Sequence, residues 1–130
     1  MTDVTTASVS NKMLWAGRIT SALPVLMLLM SAVMKFVQSE DVLKGFTSLG
    51  WPTDLAIALG IVELTCTLIY AIPQTAVLGA ILLTGYMGGA IATHVRIGEA
   101  FITQSALGVL VWLGLYLRDA RIRALIPLRT

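Results

Sequence analysis

Several side chains that can hold or transfer protons interrupt the apolar stretches of this sequence. Glu63 lies within GIVELTCTLIY (residues 60–70), and Tyr86 and His94 lie within LLTGYMGGAIATHVR (residues 82–96). Carboxyl, phenol and imidazole groups act as general acids and bases, so we predict these three as the catalytic residues of a proton-transfer site. No phosphate loop, dinucleotide fingerprint, nucleophile elbow or HExxH motif occurs in the chain, which excludes the enzyme classes that depend on them.

A second set of residues is predicted to bind a ligand. It comprises Lys35, Arg96, Ser31, Thr67, Thr93 and Gly89. In this interpretation the two cations orient a polar group of the ligand, and the glycine leaves room for an apolar part. Alternatively, Lys35 and Arg96 snorkel to lipid headgroups. His94 can equally be a plain interfacial residue, and Gly85 with Gly89 a small-xxx-small helix contact.

Metal and haem chemistry is not expected. His94 is the only histidine and Cys66 the only cysteine. One chain therefore cannot form a bis-histidine haem site, a multi-histidine metal site, a disulfide or a CxxC redox pair. The cofactor is left open, and a quinone or another lipid-like molecule is the kind of ligand that the predicted site would suit.

The composition places the chain among membrane proteins. Of its 130 residues, 57% are hydrophobic and 12% charged, and the mean hydropathy is +0.86, whereas a soluble domain keeps a polar exterior. We predict an all-α fold, a four-transmembrane-helix antiparallel bundle with spans at 14–36, 53–72, 75–97 and 101–117. Residues 1–13 form a short N-terminal tail, residues 118–130 a basic C-terminal tail, and residues 38–52 (QSEDVLKGFTSLGWP) a charged loop.

Lysines and arginines are distributed unevenly between the two ends of the predicted bundle. Six lie on the side of both termini, namely Lys12, Arg18, Arg118, Arg121, Arg123 and Arg129. Three lie toward the other side, namely Lys35, Lys44 and Arg96. Because basic residues are enriched in cytoplasmic segments, both termini are predicted to be cytoplasmic.

One stripe of small and polar residues runs along each span and is predicted to face the bundle interior, because lipid tails are as apolar as leucine. The stripes are Gly17, Ser21, Pro24, Leu28, Ser31 and Lys35; Ala56, Gly60, Glu63, Thr67 and Tyr70; Gly79, Leu82, Tyr86, Gly89, Thr93 and Arg96; and Ser105, Gly108, Trp112, Tyr116 and Asp119. Glu63 and Tyr86 would each lie roughly 15 Å below the side opposite the termini. We therefore predict that they meet at the floor of a pocket that opens to that side.

Glu63 requires a partner if it carries a charge, because an unpaired carboxylate in hydrocarbon is unstable. It is predicted either to pair with a cation or to hold a proton. The structural alternative is a hydrogen bond across helices, to Tyr86, Thr67 or Ser31.

Longer segments of the chain resemble the DoxX-like family. They are SAVMKF, LKGFTSLGWP, GIVELTCTLIYAIPQTAVLGAILLTGYMGGAIATHVRIGEAF and GVLVWLGLYLRDARIRALIP, within residues 14–127. The chain has Ala32 where many relatives carry the glycine of an SGxxK pattern. The resemblance implies four transmembrane helices in the inner membrane of bacteria or archaea. It also implies a link, in some relatives, with quinone-dependent sulfur oxidation or thiol redox complexes, and one fold can carry several activities.

The sequence thus predicts a pocket within the bundle that binds a small apolar molecule, such as a quinone or an isoprenoid. The protein would be an oxidoreductase-associated subunit or an acid–base enzyme. The alternative is a non-catalytic assembly factor or scaffold, and a further one is a proton-coupled small-molecule transporter. Expected partners are the lipid bilayer, the ligand and a second copy in a homodimer. The short basic tail is expected to contact anionic lipid and not nucleic acid.

Overall fold

The structure is a computed structural model that describes residues 9–129. Its elements are α1 (Asn11–Val37), α2 (Glu40–Ser48), α3 (Ala56–Ala71), α4 (Ala76–Arg96), α5 (Ile102–Arg118) and α6 (Ala120–Leu125), with 3-10 turns at Thr53–Leu55 and Pro73–Thr75. No strand occurs in this range. The predicted all-α fold is therefore confirmed.

Four of the helices, α1, α3, α4 and α5, form an antiparallel bundle in which each has two neighbours. Both α1 and α4 pack against α3 and α5. Gly17, near the start of α1, lies against Arg118 at the end of α5, so the start of α1 and the end of α5 share one side of the bundle. We call it the terminal side, and the opposite one, which carries α2, the α2 side.

The bundle has the length and the surface of a membrane protein. Within the described residues, three segments are long and apolar enough to cross a membrane, namely Asn11–Val37, Thr53–Ala71 and Pro73–Arg96. The fourth helix of the bundle, α5, is apolar but has 17 residues. Large apolar side chains on the outer faces are exposed, as Ile19 and Met30 show with 67% each. Lipid is the medium that such faces require, and the chain is a multi-pass membrane protein.

Small residues bring the helices into close contact on the terminal side. Gly79 of α4 lies directly against the backbone of Tyr70 in α3, and Gly114 of α5 lies against Ser21 of α1. The Tyr70 hydroxyl donates to the Val111 carbonyl (2.7 Å) and accepts from Ser21 Oγ (2.8 Å). One fully buried phenol therefore joins three helices at this level.

We expect Tyr70→Phe to lower the free energy of unfolding by about 1–2 kcal/mol, because Ser21 loses its partner and α5 loses a hydrogen bond. Unfolding in mixed micelles at increasing fractions of sodium dodecyl sulfate measures this difference. Tyr116→Phe is the matched control, since no hydrogen bond of the Tyr116 hydroxyl occurs within the described chain, and its effect should stay below about 0.5 kcal/mol. Equal losses in the two variants would contradict the prediction.

The predicted interior stripes agree with the structure best in α1 and α3, where they are buried or half-buried along their length. In α4 the buried residues are Ala76, Gly79, Ala80, Leu83 and Met87, whereas Leu82, Gly89 and Arg96 of the predicted stripe are exposed. The stripe of α5 is half-buried, and the fully buried residues of this helix are Leu107, Val111, Gly114 and Leu115. Gly89 of α4 and Gly108 of α5 border hollows instead of helix contacts.

The segment predicted as a charged loop contains a helix, α2. Gln38 ends α1 in a left-handed conformation (φ 56°), and Ser39 caps α2 by accepting from the Val42 amide at 3.3 Å. Glu40 and Asp41 occupy its first turn, where negative charge favours a helix. Phe46 is the buried residue that holds α2 to the bundle.

The basic tail is also partly helical. Asp119 caps α6 through the Arg121 amide, and the Arg121 guanidinium bonds the same carboxylate (2.9 Å). These hydrogen bonds hold the pKa of Asp119 below its usual value. Ile122 is buried, and Arg123 donates to the Tyr116 carbonyl at the end of α5 (2.7 Å). The tail therefore packs back on the terminal side.

Candidate functional site

A cavity of about 680 Å³ occupies the half of the bundle nearer the α2 side. It is bordered by residues from α1 to α5, and most of its wall is apolar. Space remains between the helices here because α4 carries glycines in place of bulky side chains. A Cβ atom at Gly85 or Gly89 would meet nothing within 4 Å. The interior of the bundle is thus closed on the terminal side and hollow on the other.

A buried ion pair forms the polar end of the cavity. Lys35 Nζ lies 2.9 Å from Glu63 Oε1 and donates to Ser31 Oγ at 2.8 Å. The Glu63 side chain is 2% exposed and that of Lys35 16%. The lysine is therefore the member of the pair that a small molecule in the cavity can reach more easily.

The position of Lys35 follows from the geometry of its helix. It lies two residues before the end of α1, and side chains on a helix lean toward its N-terminus. The ammonium group consequently points back into the bundle, toward Ser31 one turn earlier, and not toward the lipid headgroups. The predicted partner of Glu63 is thus a cation, and the cation is Lys35.

Tyr86 adds a hydroxyl to the same cavity from α4. It is half-buried, and its hydroxyl has no hydrogen-bond partner among residues 9–129, nor is that oxygen enclosed. Tyr86 can therefore donate to, or accept from, a molecule bound beside the ion pair.

His94 lies on the cavity wall two residues before the end of α4. Its Nδ1 is 2.7 Å from the Ala90 carbonyl, which can only accept, so Nδ1 carries the proton and Nε2 is an acceptor in the neutral ring. Gln104 Nε2 lies 3.4 Å from that atom. Thr93, beside His94, also borders the cavity and donates to the Gly89 carbonyl at 2.7 Å.

Two of the predicted binding residues do not border the cavity. Thr67 is fully buried and donates to the backbone carbonyl of Glu63 (2.7 Å), so it supports the helix turn below the carboxylate. Arg96 is exposed and donates to the Leu49 carbonyl, which ties the end of α2 to the end of α4. Arg96 therefore holds α2 in place over the cavity and is not part of the Lys35–Glu63 ion pair.

The segment that covers the cavity, α2 and the residues directly after it, was not predicted from the sequence. Val42 and Phe46 from α2, with Leu49 and Trp51 after it, border the cavity on the α2 side. Their spacing, together with Ser39 and the acids that follow it, is the pattern of a capped amphipathic helix. Gln104 was also missed, since a lone amide near the start of an apolar span gives no local signal of its role.

No three of the histidine, cysteine, aspartate and glutamate side chains in residues 9–129 lie close enough together to hold a metal ion. The single cysteine, Cys66, is buried and free. The polar side chains described above at the cavity are the Lys35–Glu63 pair with Ser31, the Tyr86 phenol, the His94 imidazole, the Gln104 amide and the Thr93 hydroxyl, and Thr103 borders the cavity as well.

Comparison with known proteins gives one match, to a family. The model of the DoxX-like family matches residues 19–116, which includes every residue of the cavity and confirms the resemblance found in the sequence. No curated protein and no solved structure shows significant similarity to the chain.

Proposed function

The chain belongs to the DoxX-like family, and we propose that it binds a small, mostly apolar molecule with one polar end in the cavity beside Glu63. The observation that carries the proposal is the Lys35–Glu63 pair (2.9 Å) at the edge of a hollow of about 680 Å³. A hollow of this size matches the usual range of small-molecule sites, which are apolar and carry few polar groups.

Charge and hydrogen bonding indicate what the ligand presents to the protein. Lys35 offers an ammonium proton, Tyr86 a hydroxyl and Glu63 a carboxylate oxygen, all from one region of the wall. A carbonyl or hydroxyl oxygen of the ligand would accept from Lys35 or Tyr86. The apolar remainder would lie against the glycines of α4 and the apolar side chains of α2. A quinone or an isoprenoid compound combines a polar group with an apolar remainder in this way.

The same groups suit two kinds of activity. In an oxidoreductase-associated subunit, the residues would bind a quinone and exchange protons with it through Glu63 and His94. In an acid–base enzyme, they would move a proton within the bound substrate, with Tyr86 as donor. A scaffold in which the ion pair only holds helices together would need no hollow beside the pair, and the hollow favours the binding site.

We further propose that the protein lies in the inner membrane of a bacterium or archaeon with both termini in the cytoplasm, and that it forms a homodimer. The six basic residues on the terminal side support the orientation. In this orientation α2 and the polar end of the cavity lie nearer the outer surface.

Lipids that co-purify with the protein test the proposal. Solvent extraction and mass spectrometry of the detergent-purified protein should yield an apolar compound from the wild type. The same compound should fall at least about tenfold in Glu63→Gln, because Lys35, which donates to the ligand, loses the carboxylate that holds its ammonium group at the cavity. A misplaced charge-assisted hydrogen bond costs at least that factor in affinity. Gly89→Leu fills the cavity, keeps the ion pair and should also remove the compound.

Thr65→Val is the matched control. Thr65 lies on the exposed face of α3 and bonds only its own helix, through the Ile61 carbonyl (2.7 Å), so this variant should retain the compound. An unchanged yield in both Glu63→Gln and Gly89→Leu, in samples that elute as folded protein, would overturn the proposed site.

A further inference from the structure

A second hollow lies on the other face of the α4–α5 pair, and we call it the lateral groove. It has a volume of about 700 Å³ and is bordered by Gly88, Gly108, Val109 and Trp112 among others. Val109 is 64% exposed, so the groove opens at the side of the bundle, where lipid lies. Trp112 Nε1 donates to Thr84 Oγ1 (2.7 Å) and fixes its wall.

Met87 and Gln104 border both the lateral groove and the cavity, and no other residue of the described chain does so. They therefore form the partition between the two hollows. Both side chains are long and unbranched, and such side chains change rotamer without moving the backbone. The partition can open while α4 and α5 keep their positions.

The two helices leave space on both sides of this partition. A Cβ atom at Gly88, which borders the groove, or at Gly89, which borders the cavity, would meet nothing within 4 Å. On the groove side the space continues along α5 to Tyr116 and Ile126. The two hollows thus lie next to each other at the level of Met87 and Gln104.

Gln104 has an incomplete set of hydrogen bonds in the closed partition. Its Oε1 atom is buried and has no partner within residues 9–129. A buried carbonyl oxygen without a donor is unfavourable. The amide therefore loses little when it turns out of the partition, since its one polar contact in the described chain, between its Nε2 atom and His94 Nε2, is long (3.4 Å).

We propose that the lateral groove binds the apolar ligand of the cavity as it arrives from the bilayer, and that Met87 and Gln104 are the partition through which the ligand passes. This inference rests on the proposed function. The route over the α2 side is covered by Phe46 and held by the bond between Arg96 and Leu49. It also leads to water, in which an apolar molecule is scarce, whereas the groove leads to lipid.

The rates at which a decyl-substituted benzoquinone binds and leaves test the route. The protein is reconstituted in nanodiscs, and stopped-flow quenching of the fluorescence of Trp51, in the cavity wall, gives both rates as the part of the signal that Trp51→Phe loses. Trp112, which forms the groove wall, stays in place. Gly88→Leu fills the groove alone and should slow binding and release by about tenfold each, with an unchanged Kd, because a barrier on the path alters rates and not the equilibrium. Gln104→Ala removes part of the partition and should raise both rates.

Two other positions on α4 are the controls. Gly85→Leu intrudes into the cavity and should weaken the equilibrium affinity. Ala92→Leu is exposed, borders neither hollow and should match the wild type in both rates and affinity.

Three results would overturn the inference. Wild-type rates in Gly88→Leu would place the route elsewhere and leave the proposed function standing. Efficient disulfide cross-linking of Gly88→Cys between copies would make the groove a dimer interface. No quenching that depends on Trp51 in the wild type, with Trp51→Phe shown to be folded, would reject this quinone as a ligand and remove the basis of both proposals.

Discussion

Replacing Lys35 with methionine is expected to lower the free energy of unfolding by about 3–5 kcal/mol, the range measured when one member of a buried ion pair is removed. The reason is that Glu63 is 2% exposed and Lys35 is its only cationic partner in the described chain. Methionine is one heavy atom shorter than lysine and fills most of its volume, so the loss reports chiefly the unpaired carboxylate. Unfolding in mixed micelles at neutral pH measures it.

The double variant Lys35→Met, Glu63→Gln separates the charge effect from a packing effect. An amide left alone in the cavity costs less than a carboxylate, so the double variant should be more stable than Lys35→Met alone and the two substitutions should be strongly non-additive. Lys44→Met is the control, since its pair with Glu40 is exposed on both sides and should contribute less than about 1 kcal/mol. Equal losses for Lys35→Met and Lys44→Met would show that the buried pair has no special role.

Gly79→Ala is expected to destabilise the bundle more than any other glycine-to-alanine substitution. The added Cβ would clash with backbone atoms of Tyr70 in α3. A helix backbone cannot move aside as the end of a flexible side chain can. Helices α3 and α4 would have to move apart where they are joined most tightly. We expect a loss of about 3 kcal/mol or more, at or above the upper end of typical overpacking effects.

Gly88→Ala is the matched substitution on the same helix. Nothing lies within 4 Å of its Cβ position, and alanine favours a helix over glycine by about 1 kcal/mol. This variant should be as stable as the wild type or slightly more so. Thermal unfolding in detergent, followed by loss of the monodisperse elution peak, compares the two. Similar melting temperatures would contradict the assignment of close contact to one glycine and open space to the other.

Together, these predictions describe a bundle whose interior is closely packed on the terminal side and hollow on the α2 side. The packed half holds the helices at a fixed separation. The ion pair lies at the boundary between the halves, where a charged group can be fixed by the packed half and still face the hollow. A proton-handling site in a membrane requires both properties.

Much of this arrangement could be predicted from sequence. Composition and segment length gave the all-α membrane bundle, and the stripe of small residues in α3 correctly placed Glu63 inside. The pairing of Glu63 with a cation was also among the predicted states. These features depend on local properties, namely the apolar length of a segment and the high cost of an ionised group in lipid.

The face that each helix turns inward was harder to predict from the sequence. In a soluble protein, apolar residues mark the buried face, but in a membrane the lipid side is equally apolar and this signal disappears. Small residues remain as the guide, and they have two uses. In α3 they make helix contacts, whereas in α4 and α5 residues such as Gly89 and Gly108 border hollows. The same residue type therefore led to the correct face in α3 and the wrong face in α4.

The sequence by itself determined the medium of this protein, the positions of its long helices and the presence of one carboxylate that must find a partner, because each follows from the free energy of placing a local segment in lipid. Only the tertiary structure decided that Lys35 is that partner, that α2 covers the cavity and that Gln104 and Met87 separate the cavity from the lateral groove. These depend on the rotation and spacing of helices about their neighbours, which are set by contacts between residues far apart in the chain.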